Sequence, residues 1–337
     1  MTRIFITGIT GMVGSHLLDF LLQETDWEIH GLIRWRSPLD NIASHIHVIN
    51  QSDRVFLHYG DITDTASLAS IFRKLTFDYV FHLAAQSYPK TSFTSANNTY
   101  ETNVIGTNNI LDACRTFCPN AVIHNCSSSE VFGRVPKHLV PITEDTPFHP
   151  ASPYAISKCS ADLVGRFYGE AYNMNVLTTR MFTHTGPRRG DVFMESTFAK
   201  QIALIEAGFL PPVVKTGNLD SVRTIADVRD AVRAYYLLVT TSGIPKNSYF
   251  NIGGNYTTTV GEILDYLTSL STFPSIKHEI DPERLRPIDA DLQIPDISKF
   301  NSFTGWVPVI SFEQTMSDLL AYWRNRVNSY GNTFLQR

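Results

Sequence analysis

The sequence is poor in cysteine, in net charge and in long apolar runs, and each shortage excludes a class of protein. Four cysteines in 337 residues do not suggest a disulfide framework, and all four are predicted to be buried thiols that hold no metal. The formal net charge of −4, without a basic tail or stripe, argues against a nucleic-acid partner. The apolar runs are too short to span a bilayer, and residues 1–7 start a strand without a signal-peptide pattern. We therefore expect a cytoplasmic protein with no membrane segment.

Apolar residues, by contrast, are plentiful enough for a large core. They make up 43% of the chain and charged residues only 18%, which excludes a disordered protein. The length allows two domains, or one large α/β domain with an insert. Up to residue 182, apolar runs alternate with helical patterns, which predicts an α/β fold with a doubly wound parallel sheet. The predicted strands are Ile4–Thr7, Trp27–Ile33, Val55–Tyr59, Tyr79–Leu83, Ala121–Cys126 and Val176–Met181.

A glycine-rich turn follows the first predicted strand and opens a helix. Its first glycine permits a tight turn, the second lets the backbone approach a pyrophosphate, and the third allows close packing of helix on strand. The free N–H groups of the helix start favour phosphates. A plain strand-to-helix turn is the alternative, but this context predicts the cofactor site of a Rossmann domain. The predicted cofactor contacts in the turn are Gly8, Thr10, Gly11, Met12, Val13 and Gly14.

Beyond residue 182, prolines interrupt the pattern and the organisation loosens. Ser248–Ile252 has the composition of another buried strand, which could rejoin the first sheet. We therefore predict two discontinuous lobes. Residues 1–182 with about 217–255 form the dinucleotide-binding Rossmann domain, and about 183–216 with 256–330 form a smaller substrate-binding lobe. That lobe would cover the crevice at the carboxyl ends of the strands, where ligands of open α/β sheets bind.

The end of the second predicted strand favours NADP over NAD. An NAD site takes an acidic residue there for the ribose hydroxyls, but this chain has Arg34, Arg36 and Ser37. These side chains suit a 2′-phosphate through charge-assisted hydrogen bonds, the alternative being two solvated arginines. After the third strand, Asp61 and Ile62 are placed at the adenine edge; Asp61 as a helix cap is the alternative.

Residue types suited to proton transfer follow the fifth predicted strand. Ser128 lies at its end, and Tyr154 and Lys158 open a later helix, where a spacing of four puts them on one face. A cation beside a phenol lowers the phenol pKa, so that the phenol acts as a base near neutral pH. Such a pair is common by chance and gains weight only from the preceding dinucleotide turn. The set suits removal of a proton from a sugar hydroxyl while hydride leaves the same carbon.

These motifs together resemble those of the extended short-chain dehydrogenase/reductases. Within that superfamily the chain is similar to the GDP-mannose 4,6-dehydratases and to the related GDP-4-keto-6-deoxymannose reductases, over nearly its whole length. The resemblance implies an NADP-dependent nucleotide-sugar dehydratase, a lyase that binds a GDP-sugar and forms a homodimer or homotetramer. Its markers are Thr7–Gly14, His82–Ser87, Ser128–Glu130, Tyr154 with Lys158, Pro187–Gly190, Gly217–Asp220, and Arg286-Pro287 with Asp289 and Asp291.

The resemblance also implies a reaction cycle. Hydride leaves C4 of the sugar to NADP⁺ while the Tyr154/Lys158 pair takes the O4 proton, a carboxylate takes the C5 proton, water leaves C6, and the hydride returns to C6. Glu130 is then the carboxylate, with a capping or surface role as its alternative, and Ser128 stands where the family has Thr. Three further residues are implied at the cofactor: Leu83, Ala84 and Ala85.

On the substrate side, the resemblance implies Arg223 and Arg286 at the diphosphate and Asp289 at the ribose. Arg188 is placed either at the diphosphate or against a neighbouring subunit. Thr183 departs from the family, whose usual Asn contacts the substrate. The predicted substrate contacts are Gln86, Ser87, Ser129, Thr183, Arg188, Asn218, Arg223, Arg286 and Asp289, with Arg189, Lys215 and Arg284 as further diphosphate candidates. His184 is expected to be a packed histidine without acid/base work.

Two other functions fit the same motifs. A GDP-4-keto-6-deoxy-sugar reductase or an epimerase shares the fold and the Tyr/Lys pair, and the reductase consumes NADPH stoichiometrically. A dinucleotide-sensing regulator would keep the fold without turnover. The presence of both Tyr154 and Lys158 argues against the sensor, which has no need of them.

Overall fold

The computed structural model describes residues 1–51, 54–285, 292–331 and 333. Its first half alternates strands with helices, as the sequence predicts. The elements are β1 (Arg3–Thr7), α1 (Met12–Glu24), β2 (Glu28–Ile33), α2 (Ile46–Gln51), β3 (Val55–Tyr59), α3 (Thr65–Phe72), β4 (Tyr79–His82), α4 (Pro89–Thr94), α5 (Ala96–Tyr100), α6 (Gly106–Phe117), β5 (Val122–Cys126), α7 (Pro153–Tyr172) and β6 (Asn175–Met181). A π-helical turn, Glu101–Ile105, joins α5 to α6.

The second half has shorter strands between its helices. Its elements are β7 (His184–Thr185), α8 (Met194–Glu206), β8 (Val213–Thr216), β9 (Val222–Asp227), α9 (Val228–Thr240), β10 (Tyr249–Ile252), β11 (Tyr256–Thr259), α10 (Val260–Ser269), β12 (Lys277–Ile280), β13 (Leu292–Gln293), α11 (Ser298–Thr304) and α12 (Phe312–Tyr330). Within the described ranges, no helix is both long and apolar enough to cross a membrane.

The main sheet has seven strands in the order β10-β6-β5-β4-β1-β2-β3, and all its neighbours run parallel. The predicted doubly wound parallel sheet is confirmed, and the strand predicted at Ser248–Ile252 does rejoin it, beside β6. The strand order reverses between β1 and β4. Ligands of such sheets bind at that reversal, outside the carboxyl ends of the strands.

Helices cover both faces of this sheet. Apolar side chains of α1, α9 and α11 pack in the core on one face, and those of α3, α6 and α7 pack on the other. The strands are therefore buried on both sides, which explains their continuous apolar sequence. Full burial of one such side chain stabilises the fold by roughly 1.5–3 kcal/mol.

A second core forms between α8, α10 and α12, beside the carboxyl edge of the main sheet. β9 is the central strand of the small sheet β11-β9-β13, and β7 also pairs with it. Residues 217–255 thus contribute to both lobes, since β9 lies in the small sheet whereas α9 and β10 belong to the main core. The proposed domain boundaries themselves stay a prediction.

Candidate active site

The glycine turn between β1 and α1 forms a close-fitting backbone cradle. The N–H of Gly11 donates to the carbonyl of Gly8 at 3.0 Å, and Gly11 is the N-cap of α1. Gly8 has a φ of 76°, which disfavours any other residue. A Cβ on Gly14 would lie 2.2 Å from the Gly8 carbonyl oxygen. The turn therefore leaves the first N–H groups of α1 facing a crevice that suits a pyrophosphate.

Replacing Gly14 by Ala is expected to weaken binding of the predicted dinucleotide cofactor by at least about tenfold, with a melting temperature below the wild type, since overpacking costs roughly 1–3 kcal/mol. The cause is that the added methyl meets backbone, which cannot turn aside as a side chain would. Fluorescence titration with NADPH and thermal unfolding measure both effects. Gly261→Ala is the matched control, because its Cβ would meet nothing closer than 3.5 Å. Unchanged NADPH affinity of Gly14→Ala would contradict this account of the turn.

One large cavity, of about 1270 Å³, extends from this turn along the carboxyl ends of the strands to the small lobe. The predicted catalytic residues line it, as do the predicted cofactor residues other than Arg36. Seven predicted substrate residues also line it: Gln86, Ser87, Ser129, Thr183, Arg188, Asn218 and Arg223. Arg286 and Asp289 lie outside the described residues. The fold thus brings the predicted site together, while the individual roles stay predictions.

A buried histidine fixes the strand ends below the cavity. Thr7 Oγ1 is 2.9 Å from Nδ1 of His82, whose Nε2 lies 3.0 Å from Thr107 Oγ1. The same Thr7 oxygen accepts from the N–H groups of Leu83 and Ala84, at 3.1 Å each. Burial, with a smaller contribution from the Lys158 charge, lowers the pKa of His82 to about 3, so the ring is neutral. It acts as a hydrogen-bonded brace between β1, β4 and α6.

The loop after β2 contacts the glycine turn. Arg34 lines the cavity, and its N–H donates to Ser37 Oγ at 2.9 Å. Asn41, which the sequence did not single out, donates to the Thr10 carbonyl at 2.9 Å. Arg36 is exposed and is not among the lining residues. Of the predicted pair of arginines, therefore, Arg34 has the position that suits a 2′-phosphate.

Asp61 shapes the turn after β3. Its Oδ1 accepts from the N–H and the hydroxyl of Thr63, at 2.9 Å each. The N-cap of α3 is Asp64, which accepts from Ala66 N at 3.0 Å. The alternative of Asp61 as the cap of this helix was therefore wrong. Asp61 and Ile62 line the cavity beside the loop of Arg34.

Tyr154 owes its position to the well-capped start of α7. The N-cap Ser152 accepts from Ala155 N at 3.0 Å, and Pro153 occupies the first helical position. The N–H of Tyr154 donates to Ser92 Oγ at 3.0 Å. These bonds fix the first turn of α7, so that the phenol reaches the cavity together with Lys158 one turn later.

The electrostatics of Tyr154 differ from the sequence-based expectation. Burial raises the pKa of the phenol well above its ordinary value, and the hydrogen bond from Ser128 and the charge of Arg189 oppose the rise. Lys158 instead donates from Nζ to the Cys126 carbonyl at 2.7 Å, and burial lowers its own pKa. The expected net lowering of the phenol pKa was therefore wrong for the structure described, because burial outweighs the Arg189 charge and Lys158 donates to a backbone carbonyl instead.

Replacing Ser128 by Ala is expected to raise the pKa of Tyr154 further. The Ser128 hydroxyl stabilises the phenolate, so its loss should move the alkaline rise of the rate of cofactor reduction to higher pH. The rate at neutral pH should fall by roughly tenfold for each unit of that movement. The pH profile of single-turnover cofactor reduction measures it, with the half-buried Ser160→Ala of α7 as control. An unmoved profile would remove Ser128 from the proton-transfer step.

Glu130 lies in the short helical turn Ser129–Phe132 that follows β5. Its N–H donates to Ser128 Oγ at 3.2 Å, and its charge contributes to the raised pKa of Tyr154. The turn ends at Gly133, where φ is 56° and a Cβ would overlap the His149 carbonyl. The half-buried carboxylate lines the cavity near the phenol, and its role there stays a prediction beside the capping or surface alternative.

Asn103 is a supporting residue that the sequence patterns missed. It lies on the π-helical turn and exchanges two hydrogen bonds with the backbone of Gln86, at 2.8 and 2.9 Å. Its Nδ2 also donates to Ser157 Oγ on α7 at 2.9 Å. The Gln86 side chain turns inward, donating to Thr99 Oγ1 at 3.0 Å. The sequence signal that could have found Asn103 is a polar residue on the buried side of a helix. That signal does not identify its hydrogen-bond partners, because they are far away in sequence.

Several predicted phosphate-binding residues of the second half are held by contacts with their sequence neighbours. Arg223 donates to its neighbouring Val222 carbonyl at 2.9 Å, and Asn218 donates to Ser221 Oγ at 3.0 Å. Arg284 pairs with Asp281 at 3.2 Å, and both line the cavity. Lys215 is not among the lining residues and pairs with Glu279 on β12.

Arg188 is held against the Rossmann domain of its own chain. It has a φ of 68°, and its Nη1 lies 2.7 Å from Asp19 Oδ2 on α1. Asp19 also receives a contact of 2.6 Å from His45 Nε2. This cluster ties the segment after β6 to α1 at the edge of the cavity.

Two further residues of the cavity, His184 and Cys126, can be compared with their sequence-based predictions. Burial lowers the pKa of His184 to about 4, with help from Arg189, and its Nδ1 lies 3.1 Å from the Phe182 carbonyl. It is a packed neutral histidine, as expected.

Cys126 is only half-buried and lines the cavity, so the prediction of a buried thiol was wrong for this residue; the other three cysteines are buried. In the described part of the chain no cluster of His, Cys, Asp and Glu could hold a metal.

Comparison with known proteins decides the family. The sequence profile of GDP-mannose 4,6 dehydratase matches residues 5–319. The chain belongs to the GDP-mannose 4,6-dehydratase family. The GDP-mannose 4,6 dehydratase of Drosophila melanogaster is 33% identical, over 94% of this chain and 84% of that protein. GDP-mannose 4,6 dehydratase 1 of Arabidopsis thaliana is 34% identical, over 92% of this chain and 86% of that protein.

Solved structures agree with the family in fold. RMD from Pseudomonas aeruginosa, complexed with NADPH, superposes with a TM-score of 0.82 at 27% identity, over 97% of this chain and 100% of that chain. DesIV, a dTDP-glucose 4,6-dehydratase from Streptomyces venezuelae with NAD bound, gives 0.81 at 26% identity, over 98% of this chain and 99% of that chain. The resemblance to extended short-chain dehydrogenase/reductases is thereby confirmed, and with it a nucleotide-sugar dehydratase family whose structural neighbours bind NADPH or NAD.

Proposed function

We propose that this chain is an NADP-dependent nucleotide-sugar 4,6-dehydratase that converts GDP-mannose to GDP-4-keto-6-deoxymannose and water. The observation that carries the proposal is the position of Glu130, a carboxylate in the same cavity as the Tyr154/Lys158 pair. Oxidation at C4 alone needs one base, whereas loss of water between C5 and C6 needs a second. Family membership supports the same reaction and does not favour the reductase or epimerase alternative.

The residues at the glycine turn fit the proposed cofactor. A Cβ on Gly8 would lie 2.9 Å from the Ala84 N, and one on Gly14 2.2 Å from the Gly8 carbonyl oxygen, so only glycines allow the close-packed turn that presents the start of α1 to a pyrophosphate. Arg34 and Ser37 would hold the 2′-phosphate, and Lys158 the ribose beside the nicotinamide. When bound, NADP⁺ supplies the chemistry of accepting hydride from C4 and giving it back at C6.

Proton transfer at O4 falls to Tyr154. The Ser128 hydroxyl and the Arg189 charge both stabilise its phenolate, and burial opposes it. Burial keeps the phenol protonated in the empty site even with these two groups in place, so proton removal is confined to the site that holds substrate and cofactor. Ser128 is also placed to donate to the sugar oxygen on which charge develops.

Glu130 performs the second proton transfer. Once C4 is a ketone, the C5 proton is acidic, and the carboxylate takes it as the C6 hydroxyl departs. Two protons are removed in the cycle, one by Tyr154 and one by Glu130. Two are required, one by the departing hydroxyl to form water and one by C5 when the C5–C6 bond is saturated again. The cycle thus balances without external reductant.

Replacing Arg34 by Ala is expected to raise the Kd for NADP by roughly 10- to 100-fold, the range for loss of hydrogen bonds to a charged group. The Kd for NAD should change by less than about threefold, since NAD lacks the 2′-phosphate. Titration of both cofactors measures the ratio. Arg36→Ala, outside the cavity lining, is the comparison and should affect both cofactors little. Equal losses for NADP and NAD in the Arg34 variant would contradict the 2′-phosphate assignment.

The direct test of function is the mass of the product. The purified protein is incubated with GDP-mannose and a catalytic amount of NADP⁺. Loss of one water from the substrate with no net formation of NADPH is the expected result. An unchanged substrate, together with NADPH consumption when a GDP-4-keto-6-deoxy sugar is supplied, would establish the reductase instead.

Self-association into a homodimer or homotetramer is part of the proposal. α7 carries Ile156, Leu163 and Phe167 on one outward face, where they are 43%, 53% and 55% exposed. A stripe of large apolar side chains on a helix surface favours contact with another protein surface. Sedimentation velocity should show a dimer or tetramer, and a monomer at all concentrations would contradict it.

A further inference from the structure

Arg189 has a buried carboxylate partner, Glu195, which lines the cavity and is used by none of the proposed steps. Arg189, from the segment after β6, places its Nε 3.3 Å from Oε1 of Glu195 in the first turn of α8. Glu195 is only 2% exposed. Neither of these two atoms completes a hydrogen bond with another of the described residues. A buried carboxylate with unused acceptor capacity costs free energy unless a ligand donates to it.

The pair is held rigidly. Ser196 Oγ donates to the Arg189 carbonyl at 2.8 Å and accepts from Trp323 Nε1 of α12, also at 2.8 Å. The Arg189 guanidinium stacks on Phe193, with its Cζ 3.5 Å from the ring centroid. Arg189 is therefore held in place, and the buried carboxylate of Glu195 is kept beside it by their ion pair.

The pair lies at the catalytic end of the cavity. The Arg189 charge acts on the Tyr154 phenol, so the guanidinium and the site of C4 oxidation are neighbours. Arg223 and Arg284, two of the residues predicted for the diphosphate, lie on segments of the second half of the chain that line the same cavity. A carboxylate placed against the diphosphate would be repelled by it. Glu195 therefore faces the part of the ligand that is neutral and rich in hydroxyl donors.

We propose that Glu195 recognises the hexose of the nucleotide sugar by accepting hydrogen bonds from its ring hydroxyls, with Arg189 as the positioning residue that aims the carboxylate. This inference rests on the proposed function for the identity of the ligand class. It makes Glu195 a determinant of which sugar is bound, separate from the residues that hold the nucleotide. Loss of a buried acceptor is among the largest sources of discrimination between closely related ligands.

The test compares binding of GDP-mannose with binding of GDP. Both are titrated against the NADP-loaded protein in a Tyr154→Phe background, which prevents turnover. Glu195→Gln should weaken GDP-mannose by roughly 10- to 100-fold, as for loss of a charged hydrogen-bond acceptor, and GDP by less than about threefold. Asp191→Asn is the matched control, since Asp191 pairs with Lys200 on the same segment but does not line the cavity.

Deoxy sugars sharpen the assignment. A GDP-mannose analogue that lacks the hydroxyl bound by Glu195 should lose as much affinity for the protein with Glu195 as GDP-mannose loses through Glu195→Gln. When the analogue is bound to Glu195→Gln, the affinity should fall no further, so the two losses should not add. If Glu195→Gln unfolds because Arg189 loses its partner, the double variant Arg189→Gln with Glu195→Gln removes both charges and takes its place. Equal weakening of GDP and GDP-mannose, or full additivity with every deoxy analogue, would overturn the inference.

Failure of the proposed function looks different. In that case the wild-type protein neither dehydrates GDP-mannose nor prefers it among nucleotide sugars. The same comparison is then made between the nucleotide sugar that does bind and its own nucleoside diphosphate. A sugar-selective loss in Glu195→Gln supports the inference there too, and an equal loss overturns it.

Discussion

Replacing Glu130 by Gln is expected to slow dehydration of GDP-mannose by roughly 10²- to 10⁴-fold, the range for loss of a positioned general base. Gln keeps the length and shape of the side chain, so the turn Ser129–Phe132 and its hydrogen bond to Ser128 Oγ should persist. What is lost is the ability to take the C5 proton. Product mass, measured over time, reports the loss.

Oxidation at C4 precedes this step and should survive in the same variant. Mixing Glu130→Gln with NADP⁺ and GDP-mannose should therefore produce a lasting absorbance of reduced nicotinamide, which the wild type shows only transiently. In deuterated water, the wild-type product should carry deuterium at C5 and the variant's sugar should not. Glu170→Gln, on the exposed end of α7, is the control. Dehydration at the wild-type rate would remove Glu130 from the mechanism.

Replacing Tyr154 by Phe is expected to stop the cycle one step earlier, again by roughly 10²- to 10⁴-fold. Without the phenol the O4 proton has no acceptor, so neither reduced nicotinamide nor product should accumulate. The absence of the nicotinamide signal distinguishes this variant from Glu130→Gln. Single-turnover absorbance with saturating NADP⁺ and GDP-mannose measures it.

Binding should be much less affected than turnover in Tyr154→Phe. The ring stays packed at the start of α7, and one hydrogen bond, from Ser128, is lost. That bond is worth about 1 kcal/mol, so stability and NADP affinity should be close to those of the wild type. Tyr172→Phe, at the half-exposed end of the same helix, is the control. Accumulation of reduced nicotinamide at the wild-type rate in Tyr154→Phe would contradict the assignment of the first base.

Features that depend on local sequence were predictable. The spacing of Gly8, Gly11 and Gly14 requires only that a strand precede and a helix follow, and both do. The start of α7 could be placed from Ser152 and Pro153, because caps act within one turn. Strand positions in the first half followed from continuous apolar runs, which full burial on two faces demands.

Features that depend on distant partners were not predictable. The raised pKa of Tyr154 results from burial by several elements, and no pattern in the sequence reports desolvation. Asn103 meets Gln86 and Ser157 only because the π-helical turn is packed between the β4 loop and α7. The position of β9 in the small sheet, within a stretch otherwise assigned to the first lobe, was decided by pairing with β11.

The sequence by itself determined the dinucleotide fold, the family and the residue types of the chemistry, because short-range periodicity, turn residues and motif spacing encode them. Tertiary structure alone decided which arginine after β2 lines the cavity, and that Lys158 bonds a backbone carbonyl while Ser128 and Arg189 act on the phenol. It also decided that Arg189 and Glu195 meet as a rigid pair. The physical reason is that solvent exclusion and the direction of a charged side chain depend on everything packed around it, which no local pattern contains.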